Sequence, residues 1–243
     1  MSRHLSRYDL ECIAHRITSR YYRMLGVGAG ELTPIDPILL AEEIVKLNVS
    51  FAPLSVDGSI LGLAAFDDVD LEIYTSDGNT ITRHLKNRDI VIDTGLQESG
   101  CLGRCNFTVA HEAGHHILNL MFPEDYGPVC NRRAHIMYRR SKEAHEWIEW
   151  QADNLASPLL MPVPLVHQSL AYFGFENNQV EMINRVFRPK EYQRFCDMAD
   201  YMGVSKQALS IRLQQLGILS RDKDYLANPY ELLRIYCDEP DLC

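Results

Sequence analysis

The segment NFTVAHEAGHHIL, residues 106–118, carries three of the chain's nine histidines and constrains the fold more than any other stretch. His111, Glu112 and His115 fit the pattern H-E-x-x-H. Residues four apart on an α-helix lie one turn apart on nearly the same face, so both imidazoles can reach one ion if the segment is helical. From about residue 104 the apolar period is helical, with Phe107, Ala110, Gly114, Leu118 and Met121 on a shared face. Glu112 flanks the histidine face and stands beside an ion without having to ligate it. Zinc makes water nucleophilic near neutral pH, and a neighbouring carboxylate can take the proton as the water attacks a peptide carbonyl. The plainer alternative is a buried helix rich in histidine, and five residues alone do not exclude it. Gly114 adds a constraint. Glycine inside a helix costs about 1 kcal/mol relative to alanine, which a close approach by another element would justify.

A catalytic zinc site takes three protein ligands and keeps one position open. The segment EWIEWQADNLASPLLMP offers Glu149 on a second helix, expected over about 141–156, with Asp153 one turn further. In this arrangement Glu149 binds the metal. Asp153 accepts a hydrogen bond from the far nitrogen of a ligating histidine, fixing its tautomer. Glu143, His145 and Glu146 lie on the same helix and remain rivals for the third position. His116 points about 100° away from His115 and reads as structural. Pro158 is expected to stop the second helix, because the residue before a proline avoids helical geometry.

The rest of the chain predicts an α+β fold. Residues 8–25 read as a helix with Leu10, Ile13, Ala14, Ile17 and Tyr21 on one face, and Asp36 with Pro37 reads as the start of another. VSFAPL, GSILGLAAF, DLEIYTS and RDIVIDTG read as three or four strands of a small, mostly antiparallel sheet packed on the helices. Near the C-terminus, MADYMGVSKQALSIRLQQLG reads as a helix, a turn at Gly203 and a second helix capped by Ser205, a helix-turn-helix-like hairpin over about 190–216. A DNA reader of this kind would expose Lys206, Gln207, Ser210, Arg212 and Gln214. Two cations are few for a phosphate-binding surface, which favours a hairpin packed on the remainder of the chain. The expected division is a metal-binding domain over 1–165 and a helical segment over 166–243.

Composition narrows the function classes. The 243 residues, 46% hydrophobic, suffice for one core of ordinary size plus a smaller appendage. A net charge of −9 argues against a broad nucleic-acid footprint. No apolar run approaches the length of a membrane span, and the first residues lack the apolar stretch of a secretory signal, so a cytoplasmic protein is expected. The cysteines (Cys12, Cys101, Cys105, Cys130, Cys196, Cys237 and Cys243) are odd in number and scattered, as reduced thiols are. Cys101 and Cys105 sit four apart with no second pair in zinc-finger spacing.

The two motif segments together resemble the ImmA/IrrE family of metallo-endopeptidases. That family shows F-T-x-A-H-E-x-G-H followed by E-x-x-A-[ND]-x-[FL]-A-x-x-L-L-M-P. Here Phe107, Thr108, Ala110, His111, Glu112, Gly114 and His115 match the first segment. Glu149, Ala152, Asp153, Leu155, Ala156, Leu159, Leu160, Met161 and Pro162 match the second. The likeness extends over most of residues 10–218. It implies a zincin-like α+β fold, zinc held by His111, His115 and Glu149, and Glu112 as general base. It also implies a cytoplasmic bacterial enzyme that cuts, or otherwise inactivates, a helix-turn-helix transcriptional repressor of a mobile element or stress response. Leu155 replaces a more usual phenylalanine. The linker CNRRAHIMYRRSK leaves the oxyanion-stabilising group open among His135, Tyr138 and His145. The competing reading is a non-catalytic regulator that binds a repressor or DNA and whose metal site is structural or vestigial.

Overall fold

The computed structural model describes residues 4–219 except 29, 76–78, 99, 127–141, 176–179, 181–182 and 187. Helix α1 (Arg7–Leu25) starts at a capping box in which Ser6 Oγ accepts from Asp9 N and Asp9 accepts from Ser6 N. Its buried face is Leu10, Ile13, Ala14, Thr18, Tyr21 and Tyr22, so Thr18 takes the inward position expected of Ile17. Thr18 satisfies its hydroxyl on Ala14 O at 2.9 Å, which makes that burial cheap. Asp36 caps the short α2 (Pro37–Leu39) by accepting from Ile38 N and Leu39 N. The chain then widens into a π-helical stretch, Leu40–Val45, closed by Lys46 in the left-handed conformation.

Five strands follow: β1 (Asn48–Ala52), β2 (Gly62–Ala64), β3 (Val69–Tyr74), β4 (Thr80–Leu85) and β5 (Asp89–Asp93). They form two sheets. One has the order β1-β5-β2, and the other is the β3–β4 hairpin. The antiparallel expectation holds for β2–β5 and β3–β4, but β1 and β5 pair in parallel, from Asn48 opposite Asp89 to Ala52 opposite Asp93. The stretch from β2 to β4 is the crossover that such a parallel pair requires. Strand β4, TITRHL, was absent from the apolar pattern because almost all of it is exposed or half-buried. Central β5 alternates its faces. Ile90 and Ile92 pack with Val109 and Ala113, while Val91 packs with Ala52, Ala65 and Leu85 on the hairpin side.

After α3 (Gly95–Glu98) comes α4 (Leu102–Met121), the wall between the sheet and the helical layer. From Thr108 to Leu118 it is buried almost all round, as expected of a central helix. Cys105, Val109 and Ala113 face the sheet, while Ala110, Ile117 and Leu118 join the helical core. Met121, expected on the apolar face, is exposed at the helix end. After α5 (Pro123–Tyr126), α6 (Lys142–Leu160) packs along α4. This helix does not stop before Pro158, which sits inside its last turn. The proline removes one intrahelical N–H, but Leu155, Ala156, Leu159 and Leu160 are all buried there, and each such leucine contributes about 1.5–3 kcal/mol.

Helices α7 (Val163–Tyr172), α8 (Pro189–Tyr201) and α9 (Lys206–Gln215) complete the helical layer. The turn at Gly203 is left-handed, and Ser205 Oγ caps α9 by accepting from Ala208 N. The hairpin shares one core with α1, α4 and α6 through Phe195, Met198, Leu209 and Leu213. Its turn also grips the start of α4. Asn106 Nδ2 donates to Gly203 O at 2.8 Å, and a Cβ on Gly103 would stand 2.5 Å from Ser205 N. Arg212 and Ser210, expected on an exposed DNA-reading face, are buried. Arg212 Nε donates to Met161 O at 3.0 Å, and its guanidinium forks onto both carboxylate oxygens of Glu11, with Nη2 at 3.0 Å from Oε2. Among the described residues no helix is long and apolar enough to cross a membrane.

Candidate metal centre

The site lies where α4 and α6 touch. Gly114 makes that contact close: a Cβ there would stand 3.3 Å from Ala152 O and 3.6 Å from Ala152 Cα. The helix therefore tolerates an interior glycine because α6 occupies the space of its side chain. One turn of helix sets His111 and His115 on the same side of α4, with ring centroids 4.7 Å apart and planes at 85°. Glu149 reaches them from α6. His111 Nε2 lies 3.0 Å from His115 Nε2 and 3.2 Å from Glu149 Oε2, and His115 Nε2 lies 3.5 Å from the same oxygen. Among the described residues this is the one group of histidine, cysteine and carboxylate side chains whose ligand atoms converge, all within 4.8 Å of one another.

These separations fit a cation. Bonds of about 2.0–2.1 Å in a tetrahedral site put ligand atoms roughly 3.3 Å apart, and the three distances bracket that value. The donor set of two imidazole nitrogens and one carboxylate oxygen suits zinc or another borderline divalent ion. The cluster can hold a metal ion. Asp153 Oδ1 lies 2.8 Å from His111 Nδ1, on the side away from the cluster, and so holds a proton on Nδ1 while Nε2 faces inward.

Hydrogen bonding and burial set the proton affinities of these groups. Burial alone would lower the His111 pKa, but the hydrogen bonds to Asp153 and Glu149, with the charge of Glu112, raise it to about 10. Burial likewise opposes ionisation of Glu149, yet its hydrogen bonds to His111 and His115 hold it well below the usual carboxylate range. Glu112 behaves in the opposite sense. It is buried, and that burial raises its pKa against the pull of His111 and His115. Two carboxylates within one site thus differ in proton affinity because one is hydrogen-bonded to imidazoles and the other is enclosed.

The remaining candidates separate cleanly. His116 is turned into the sheet side, its ring tilted 38° to that of Phe66 with centroids 4.6 Å apart, and burial pushes its pKa down to about 4 against the pull of the Asp89 backbone. Glu146 is exposed and stands apart from the cluster. His135 and Tyr138 lie outside the described residues, as do the side chains of Glu143 and His145. Cys101 and Cys105 are free thiols, and Cys105 is buried with its pKa raised by that burial. Sequence reasoning missed Gly62, whose missing side chain leaves room for Glu112 and for the methyl group of Thr108. The available signal was a glycine inside the apolar strand run SILGLAAF, where glycine often marks a close approach. No family model matches the chain, and the curated proteins offer no sequence similar to it.

Proposed function

We propose that the chain is a zinc-dependent endopeptidase with a zincin-like site, of the ImmA/IrrE kind, acting in the cytoplasm on a partner helix-turn-helix repressor. The observation that carries this reading is the convergence of His111, His115 and Glu149 at 3.0–3.5 Å with the enclosed carboxylate of Glu112 beside them. Three ligands leave a position open for turnover, whereas structural zinc usually has four protein ligands. A zinc ion in this site would supply Lewis acidity and make water nucleophilic near neutral pH. Glu112 takes the proton at a carboxylate oxygen, and its raised proton affinity suits a base working close to neutrality. Asp153 keeps the His111 ring oriented with Nε2 free of its own proton.

The sheet supports a peptide substrate. Among the described residues β2 is an edge strand, and the bonds Asp93 N to Leu61 O and Ala65 N to Asp89 O turn the odd-numbered backbone toward β5. By the antiparallel alternation, the peptide groups of Gly62 and Ala64 face the open edge, where an extended chain can add as a further strand. The repressor as target rests on the family likeness of the two motifs. Direct DNA reading by α9 is not part of the proposal, since burial of Arg212 leaves Lys206 as the only outward cation of that helix.

The test is zinc per chain and cleavage of repressors encoded by neighbouring genes, for wild type, Glu112→Gln and Glu149→Ala. Wild type and Glu112→Gln should carry about one zinc and Glu149→Ala almost none. Cleavage by Glu112→Gln should fall by about 10²–10⁴. Undiminished cleavage by that variant would remove Glu112 as the base. Wild-type protein that takes up no zinc after loading would favour a regulator that binds its repressor without cutting it.

A further inference from the structure

Gly62 opens β2 opposite Ile92, whose side chain faces α4, so the missing side chain of Gly62 faces α4 as well. A Cβ built there would stand 2.8 Å from Glu112 Oε1, 2.9 Å from Glu112 Cγ and 2.8 Å from Thr108 Cγ2. Carbon contacts are comfortable at about 3.5–4.0 Å, so an alanine would have to displace something. Thr108 has little room to yield, because its hydroxyl is fixed on Arg104 O at 3.0 Å and a β-branched side chain is stiff at χ1. The group left to move is the Glu112 carboxylate. Gly62 has no left-handed backbone conformation to explain it, and a glycine within a strand weakens it. Close approach is the reason that remains.

We infer that Gly62 is a positioning residue: the space its side chain would fill is the seat of the Glu112 carboxylate, so the edge strand sets where the proton-accepting oxygen stands. The inference rests on Glu112 being the base. It also ties substrate register to chemistry. The residue whose missing side chain leaves room for the carboxylate is the same one whose N–H and C=O face away from β5. An extended peptide pairing with Gly62 is therefore registered against the base by a single residue, with no side chain in between.

The test is a double-mutant cycle in the full chain with Gly62→Ala, Glu112→Ala and the double variant. The readouts are melting temperature, metal per chain and the affinity of the cobalt-substituted protein for acetohydroxamate, a small chelator whose hydroxyl needs an acceptor beside the metal. Gly62→Ala should keep its metal and lose about 2–6 °C in Tm. It should bind acetohydroxamate at least about tenfold more weakly, the size of a lost charge-assisted hydrogen bond. In the Glu112→Ala background the same substitution should leave chelator affinity unchanged and cost less Tm, the part owed to Thr108 remaining. Adding Thr108→Ser to Gly62→Ala should recover part of the Tm but not the chelator affinity, because the carboxylate stays displaced. Wild-type chelator affinity in Gly62→Ala, or an equal Tm loss with and without Glu112, overturns the inference and leaves the metal reading standing. A wild-type protein that takes up no metal overturns the metal reading, while the Tm cycle still decides whether Gly62 seats Glu112.

Discussion

Helices α4 and α9 both carry residues that read as functional, and their fates differ. On α4 the polar residues His111 and His115 turn toward each other and toward Glu149. On α9 the residue that promised a function, Arg212, turns inward and is consumed by Glu11 and Met161 O. The difference lies in what each motif needs. Two ligands at i and i+4 need one turn of helix, which the local chain supplies wherever it is helical. A DNA-reading face needs a particular side to be exposed, which only the surrounding packing decides.

The largest expected effect falls on α9. Arg212→Met should cost about 3 kcal/mol in urea unfolding, since it strands a partly buried carboxylate, whereas Lys206→Met should stay within about 0.5 kcal/mol. Equal losses would erase the contrast. The sheet side of α4 gives a pH-dependent effect of similar size. The unfolded chain protonates His116 near 6.5, but the folded chain resists until about 4. The contribution of His116 should therefore be complete above pH 6.5 and decline as pH falls toward 4, by up to about 3 kcal/mol. Chelator-treated His116→Phe should lose that slope in acid unfolding curves. Next, Asp153→Ala should weaken zinc by about 10–100-fold in competition with a chelating dye; unchanged affinity would mean that His111 needs no orienting partner. The smallest effect is Gly114→Ala. Crowding against Ala152 O should outweigh the gain in helix propensity and leave a net loss of about 1 kcal/mol by thermal melting. A net gain would show slack between α4 and α6.

The parts of the fold legible in the sequence were those set by neighbours along the chain. The Asp36 and Ser205 caps and the turn at Gly203 each depend on residues within a few positions, and each stands where local rules put it; the α1 face does so except that Thr18 replaces Ile17. The convergence of Glu149 on the histidines came from motif spacing, which stands in for a contact the period alone does not reveal. Three features were hidden because distant packing sets them. Leu155, Leu159 and Leu160 hold α6 helical past Pro158. Strand β4 is held by pairing with β3 and has almost no apolar signature. The enclosure of Glu112 depends on a β2 residue whose contribution is the absence of a side chain.

The fork between Arg212 and Glu11 closes a loop of 201 residues. At about 5–20 residues per second, a ribosome needs roughly 10–40 s to make that stretch. Through that interval α1 can coil and display its apolar face, but the partner that locks Glu11 does not yet exist. Native contacts this far apart also slow the final collapse. Helix α1 thus exists long before Arg212 can hold Glu11. During synthesis the Glu11 flank of α1 is open to a holding chaperone or a misplaced neighbouring chain until Arg212 arrives.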